Sequence, residues 1–188
     1  PRHTPARKGL IISPADGRVQ MITQVPLPPE LDDMKNSGDD ALCDAPVVTR
    51  VSIFLNVFDI HVQRIAASGE VRKVVYRPGK FFNASLDKAS TDNERSTVLM
   101  KMDGYPTSVA FVQIAGLVAK RIICKLAAGQ QVKAGEAYGL IRFGSRVDVY
   151  LPPNVNPLVS IGQRMIGGES VIADMESSEA TRMADLRE

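Results

Sequence analysis

Tryptophan is absent, and histidine and cysteine occur only twice each in 188 residues. Two cysteines, Cys43 and Cys124, are too few for a disulfide framework and lack the paired spacing of a zinc site, so a reducing compartment is expected and no metal is assigned. Aromatic residues make up only 5% beside 14 glycines and 12 prolines, which disfavours a helical bundle and favours a β-rich chain with many turns. No run approaches the roughly 18 apolar residues of a membrane-spanning helix, and no charged-then-apolar signal opens the chain. A net charge of +2 gives no electrostatic footprint for nucleic acid. What the sequence does have is 44% hydrophobic residues, enough to bury the core of one water-soluble domain.

The chain reads as short strands and turns: mainly β with short helices, in the α+β class. Residues 9–12 and 18–25 flank the turn-forming cluster SPADG, and further strands are expected at 47–57, 70–77, 96–102 and 108–114. The segment GLVAKRIICKL (116–126) fits a short helix or a strand. Residues 26–46 combine proline, glycine and the acidic residues Asp32, Asp33, Asp39, Asp40 and Asp44, which predicts an exposed, mobile loop. Beyond Ala173 the chain turns charged, which predicts a flexible tail over 174–188. Two internal repeats organise the rest: GQQVKAGEAYGLI (129–141) with GQRMIGGESVIA (162–173), and ADGRV (15–19) with ASGEV (67–71). Such units resemble the half-motifs of barrel-sandwich hybrid folds, so a duplicated architecture of that kind is expected. A carrier domain of that fold presents a lysine at a hairpin tip, whereas here Gly144-Ser145 lies between the repeats.

In LIRFGSRVDVYLP (140–152), Gly144 and Ser145 interrupt what otherwise reads as one strand. Glycine there costs about 0.5–1 kcal/mol relative to alanine and marks a bulge or a close backbone approach. In one reading Ser145 is a bystander in a bulge. In the other, Gly144 permits a strained geometry in which Ser145 Oγ reaches the Gly144 carbonyl. An N-to-O acyl shift and elimination of the ester would then leave dehydroalanine at 145, which hydrolyses to a pyruvoyl group and ammonia. Bases for such chemistry are scarce. His3 lies in a Pro- and Arg-rich lead, and His61 in FLNVFDIHVQR follows an aromatic strand, where a lone histidine is more often structural than catalytic. Asp16 of SPADG can orient an imidazole in a Ser-His-Asp arrangement, or simply bond its own turn.

The blocks SPADGRV, FLNVFDIHVQR followed by ASGEV, PGKFFNASLDKAS, NERS, QIAGLVAKRIIC and GLIRFGSRVDVYLP occur in this order. Together, from about residue 9 to 173, they closely resemble the short bacterial form of phosphatidylserine decarboxylase. The resemblance implies a single catalytic domain over 1–188 that cleaves itself between Gly144 and Ser145. The products would be a β chain, 1–144, and an α chain, 145–188, that begins with a pyruvoyl group made from Ser145. That covalent cofactor would form a Schiff base with the serine head group and accept electrons as CO2 leaves, converting phosphatidylserine to phosphatidylethanolamine. His61 is the candidate proton donor to the carbon that loses CO2.

Longer relatives carry two histidines three residues apart, but here the pattern is His61-Val62-Gln63-Arg64, and arginine cannot act as a base near neutral pH. Either His61 serves both steps, or maturation uses a water or the Asp16 carboxylate. A sparse apparatus suffices for maturation: cleavage with a half-life near one hour needs a barrier of roughly 22 kcal/mol, against roughly 16 for turnover at about 10 per second. TDNERS departs from relatives at Ser96, where they usually have Asn, and carries no assigned chemistry.

A lipid substrate implies contact with an anionic membrane, at the cytoplasmic face of the inner membrane. Relatives have hydrophobic segments ahead of the point where this chain begins, so PRHTPARKG reads as what remains after an anchor. Phe54, Phe58, Phe81 and Phe82, with Arg72, Lys73, Arg77 and Lys80, form either a lipid-facing rim or core phenylalanines beside a solvated basic face. A homodimer of the cleaved heterodimer is also implied. Two other readings stand beside this one: a non-catalytic hybrid-fold carrier or binding module, and a pyruvoyl decarboxylase for another amino-acid head group.

Overall fold

The paired motifs ADGRV and ASGEV each open a nine-residue strand in the computed structural model, which describes residues 1–187. The strands are β1 (Leu10–Ile12), β2 (Gly17–Val25), β3 (Val48–Leu55), β4 (Val62–Arg64), β5 (Gly69–Arg77), β6 (Arg95–Met102) and β7 (Ser108–Ile114). They continue with β8 (Ile122–Cys124), β9 (Gln131–Val132), β10 (Ala137–Ile141), β11 (Ser145–Tyr150), β12 (Arg164–Met165) and β13 (Val171–Asp174). The helical elements are a 3-10 turn, Pro29–Met34, and two single-turn helices, α1 (Ala41–Asp44) and α2 (Ala89–Asp92). The expected class, mainly β with short helices, is what is observed.

Eight strands form one antiparallel sheet in the order β12-β2-β3-β11-β7-β6-β5-β9, beside a three-stranded sheet β4-β10-β8 and a pair β1-β13. The sequence repeats correspond to repeated structure. β2 pairs with β12 at Gly17↔Met165, and β5 pairs with β9 at Gly69↔Val132. Both long strands shift register just after their start, between Val19 and Met21 and between Val71 and Lys73. The two halves also bond to each other, through Ile12 N to the Ala66 carbonyl (2.7 Å) and Arg64 N to the Pro14 carbonyl (2.8 Å). The ambiguous segment 116–126 is a tight turn followed by β8 rather than a helix. Its β-branched isoleucines, Ile122 and Ile123, pair with Ile141 and Leu140.

Alternation along the central strands builds two cores. On one face Val147 and Val149 join Ile53, Leu55, Val98, Met100, Val109 and Phe111. On the other, Tyr150 joins Leu99, Ala110, Val112 and Ile114, and there residues 26–45 form the cover. This corrects the expectation of an exposed loop over 26–46. Leu27, Leu31, Leu42 and Cys43 are buried, and two of the acidic residues, Asp33 and Asp40, reach the basic face of β5. Asp40 accepts from Arg72 Nη1 (2.8 Å) and from the Ser108 amide (2.9 Å), while Asp33 accepts from Lys73 Nζ (2.5 Å). Burial, reinforced by the Asp40 carboxylate, pushes the Cys43 thiol up to about 12, leaving it protonated at neutral pH. Acidic loop and basic strand lie some 30 to 40 residues apart in sequence, so local composition reads each as solvated. Residues 175–187 carry no regular strand or helix, and their side chains are mostly exposed.

Glu30 is the strongest anchor of this cover. Its carboxylate accepts from Arg95 Nε (2.7 Å) and Nη2 (2.9 Å) and from Thr97 Oγ1 (2.7 Å). Burial by itself would raise its pKa, but these hydrogen bonds outweigh it and lower the group from 4.5 to about 2. A depressed folded pKa means stability that is present above about 4.5 and lost as pH falls toward about 2. We therefore predict that Glu30→Gln lowers unfolding free energy by about 3 kcal/mol at pH 7, with the gap to wild type closing on acidification, as read by urea denaturation across pH. A gap that stays constant down to pH 3 would refute this assignment.

Candidate active site

Strand register brings the sequence-predicted residues to one end of the eight-stranded sheet. β11 opens at Ser145, opposite Leu55 where β3 closes, and Arg146 lies opposite Ile114 where β7 closes. β6 opens at Arg95 opposite Ile114, β5 closes at Arg77 opposite Arg95, and β2 opens beside Phe54. The loops 56–61, 78–94 and 115–121 and the turn holding Asp16 therefore all leave the sheet around Ser145.

Ser145 is fully buried at the head of the central strand. Its hydroxyl donates to the Arg142 carbonyl (2.6 Å), closing a turn over 142–145. Gly144 sits in the left-handed region (φ +73°), and its amide donates to the Leu55 carbonyl (2.8 Å). L-residues with side chains rarely take that conformation, which accounts for glycine at this position. The Gly144 carbonyl is seated against the bare Cα of Gly116. A Cβ built at Gly116 would lie 1.8 Å from the Gly144 oxygen and 3.0 Å from its carbon. The Gly144 carbonyl is thus fixed from one side by the left-handed glycine and from the other by a residue with no side chain.

His61 lies in the loop that leaves β3 opposite Ser145. Its carbonyl accepts from the Ile141 amide (3.2 Å) and from Gln63 Nε2 (2.9 Å), and Gln63 Oε1 in turn accepts from Gln113 Nε2 (2.9 Å). Both glutamines are fully buried, so this relay holds the histidine backbone rigidly against β10. The imidazole packs 6.0 Å, centroid to centroid, from Phe143, two residues ahead of Ser145. Its Nε2 is buried without a hydrogen-bond partner among the described residues. Ser145 and His61 share one end of the sheet, but the serine hydroxyl bonds Arg142 and not the imidazole.

Asp16 reaches the same end with different partners. It accepts from the Gly167 amide (2.7 Å) and from Arg2 Nη2 at 3.1 and 3.0 Å, and no hydrogen bond joins it to His61 among the described residues. The repeat explains the first contact: in the second half Ser68 occupies the matching position and its Oγ accepts from the Ala134 amide (3.0 Å). A neutral hydroxyl satisfies the hairpin there, so the Asp16 charge exceeds what the turn requires. His3 binds through its backbone amide to Glu169 (3.0 Å), away from Ser145 in the contacts made. Arg64, standing where longer relatives place a second histidine, donates to the Gly135 carbonyl (2.8 Å).

Two sets of residues escaped the sequence reading. Arg146 and Asp148 are fully buried on the face opposite Ser145. Arg146 Nη1 donates to the Ala84 (3.0 Å) and Leu86 (2.9 Å) carbonyls, its Nη2 donates to Ser90 Oγ, and Ser90 Oγ donates to Asp148 (2.7 Å). Arg146 thereby ties the loop 84–90 to the strand that begins with Ser145. Charged residues at i and i+2 within an otherwise apolar strand were the available signal for this buried pair. Asn93 of TDNERS, a block with no assigned chemistry, donates to the Phe82 (2.8 Å) and Ala115 (2.7 Å) carbonyls, next to Gly116. The predicted rim also divides. Arg72, Lys73 and Arg77 pair with Asp40, Asp33 and Glu30 on the covered face, whereas Phe58 is 90% exposed beside the site.

The chain is similar to known proteins over nearly its whole length. The family model described as phosphatidylserine decarboxylase matches residues 1–173. The chain is 56% identical to the phosphatidylserine decarboxylase proenzyme of Paramagnetospirillum magneticum, over 99% of this chain and 73% of that protein. It is 52% identical to the proenzyme of Rhodospirillum rubrum, over 99% of this chain and 75% of the relative. A third proenzyme, from Rickettsia felis, is 55% identical over 92% of this chain and 70% of the relative.

The seat beneath the Gly144 carbonyl yields a direct test. Gly116 lies outside the left-handed region, so alanine there pays no conformational penalty and its cost reports the collision alone. Gly116→Ala should destabilise by about 1–3 kcal/mol, read as a fall in Tm of roughly 3–8 °C. An unchanged Tm would show that the carbonyl is not held there.

Proposed function

The chain belongs to the phosphatidylserine decarboxylase family, and we propose that it matures by opening its own Gly144–Ser145 bond to leave a pyruvoyl group at position 145. As a carboxy-lyase of this family it acts on phosphatidylserine, releasing CO2 and forming phosphatidylethanolamine. The observation that carries the maturation step is the buried Ser145 hydroxyl beside a left-handed Gly144 whose carbonyl is seated on Gly116. A carrier module would need this position at an exposed hairpin tip, whereas Ser145 opens a central, fully buried strand.

In the proposed step Ser145 Oγ bonds to the Gly144 carbonyl carbon. The peptide C–N bond breaks, and the nitrogen takes a proton, giving an ester and a free amine. Loss of the Ser145 α-proton then breaks the Cβ–Oγ bond, and residues 1–144 leave as a carboxylate. The resulting dehydroalanine takes up one water and releases ammonia. Every atom comes from the chain or from water, so no oxidant is required.

The Arg142 carbonyl orients the Ser145 hydroxyl but is not a base, so the proton must pass to a group at this end of the sheet. His61, with its unpartnered Nε2 and doubly bonded carbonyl, suits that task and also the later delivery of a proton to the carbon that loses CO2. Arg64 cannot serve. Asp16 supplies charge from a rigid turn; the contacts it makes support an electrostatic role more than direct orientation of the imidazole. The residues fit the group: a ketone at 145 would stand where the serine stands, at the closed base of the loops, and its chemistry is to withdraw electrons from the substrate as CO2 departs. Cleavage need not part the chains. β11 pairs on both edges with β3 and β7, and β12 and β13 pair with β2 and β1. A phospholipid substrate puts the reaction at a membrane surface, and no helix among the described residues is long and apolar enough to cross one.

Intact mass spectrometry under denaturing conditions tests maturation. Wild type should give fragments 1–144 and 145–188, the second lighter by one ammonia than a serine-initiated fragment, while Ser145→Ala should remain one chain. Asp16→Ser, which keeps a hairpin acceptor as Ser68 does, should fold normally but cleave at least about tenfold more slowly if the carboxylate charge contributes. An uncut wild-type chain would sink the proposal. Separately, His61→Ala should lower CO2 release from phosphatidylserine by about 10²- to 10⁴-fold; unimpaired turnover would remove His61 from the reaction.

A further inference from the structure

Exposed apolar side chains gather on the two loops that flank Ser145. Val57, Phe58 and Ile60 are 60%, 90% and 51% exposed on the loop after β3, and Leu117 and Val118 are 59% and 60% exposed on the loop after β7. β3 and β7 are the neighbours of β11 on either side, so the two loops leave the sheet about 10 Å apart, one strand spacing to each side of Ser145. Neither tip is a frayed end. Asp59 accepts from the Asn56 amide (2.8 Å) and donates its own amide to the Asn56 carbonyl (3.1 Å), while the Gly116 amide donates to the Ala119 carbonyl (3.2 Å). Well-formed turns thus hold large apolar residues in water, where they contribute nothing to the fold.

In the segments that form these tips and the turn before Ser145, the charge outside ion pairs has one sign. Asp59 is the sole acidic residue in the segments 56–61, 115–121 and 140–144, and it is neutralised by Arg164 (2.9 Å). Lys120, Arg121 and Arg142 lie in the same segments and take part in no ion pair among the described residues. Lys120 also reaches over the Phe81 ring (5.8 Å to its centroid), which links the loop 78–94 to this edge.

We propose that this end of the molecule docks on an anionic bilayer: Phe58 and the Leu117-Val118 tip enter the headgroup region, and Lys120, Arg121 and Arg142 lie at the level of the phosphates. Apolar tips ringed by unpaired cations match an interface that is apolar below and negative above, whereas a second copy of this chain would bring the same uncompensated cations against them. Of the rim expected from the sequence, Phe58 belongs to this surface, whereas Arg72, Lys73 and Arg77 of β5 are occupied by the acidic cover on the other face. The inference rests on the reading of the site as acting on a phospholipid: docked this way, a head group enters between the two loops toward Ser145 while its acyl chains stay in the bilayer.

The test uses the 188-residue chain with vesicles of phosphatidylcholine, alone or mixed with phosphatidylglycerol, so that binding is read without turnover. Wild type should co-sediment with the anionic vesicles and release at high salt. Phe58→Ser combined with Leu117→Ser, and Lys120→Glu combined with Arg121→Glu, should each weaken partitioning about tenfold or more, with unchanged Tm. Wild-type partitioning in both variants, or no binding of wild type to anionic vesicles, overturns the proposal. So does a wild-type dimer in sedimentation equilibrium that the apolar variant dissociates while vesicle binding persists, since the tips would then be a self-interface. The variants should decarboxylate monomeric short-chain phosphatidylserine at the wild-type rate but lose turnover on bilayer phosphatidylserine. If wild type releases CO2 from neither lipid, the catalytic reading fails, and vesicle partitioning still decides the docking surface.

Discussion

The placement of β11 at the centre of the eight-stranded sheet governs the rest of the molecule. Its six residues pair with β3 on one edge, and from Arg146 onward with β7 on the other, so neither its register nor its direction can drift. A slip of one residue would exchange the apolar set Val147 and Val149 for Arg146 and Asp148, setting charges against an apolar core. That penalty pins Ser145 at the strand head. The left-handed Gly144 and the bare Gly116 then fix the bond that precedes it. If that bond opens as proposed, its being held by the packing of an entire sheet leaves little for dedicated apparatus to do, which fits a site with one nearby histidine.

Charge is distributed in three ways around this strand. On the face opposite Ser145, Arg146, Asp148 and Ser90 form a buried cluster in which each charged group has a partner, and it fastens the loop 84–90. Further along the same face, carboxylates of residues 30–40 meet the basic residues of β5 and β6 and close the second core. At the open end Lys120, Arg121 and Arg142 take part in no ion pair among the described residues, and apolar tips stand near them. Basic residues that look alike in sequence therefore do unlike work: Arg72, Lys73 and Arg95 meet carboxylates across the sheet, whereas Lys120, Arg121 and Arg142 meet none among the described residues.

Different parts of the molecule were legible in the sequence to different degrees. The repeats were legible because glycine turns and alternating strands are local patterns, and both copies obey them: ADGRV and ASGEV open equivalent strands with equivalent bulges. The acidic cover was not, because Leu31 and Leu42 are sparse among charged neighbours and their burial depends on β6 and β7, far along the chain. Gly144 and Ser145 stood out as a break in a strand, and His61 by scarcity. Gly116 did not stand out, since a glycine in a loop carries no mark of the carbonyl packed against it.

The sequence by itself determined the class of fold, the duplicated plan and the family, because these rest on turn chemistry, periodicity and ordered motifs within short windows of chain. The tertiary structure alone decided which groups meet. It put His61 and Ser145 at one end of the sheet, gave Asp16 to Arg2 and Gly167, and set Gly116 beneath the Gly144 carbonyl. It also separated the paired basic residues of β5 from the free ones beside the site. The physical reason is one of range: backbone preference acts over a few residues, whereas hydrogen bonds, ion pairs and close contacts join atoms that only the antiparallel register of distant strands brings together.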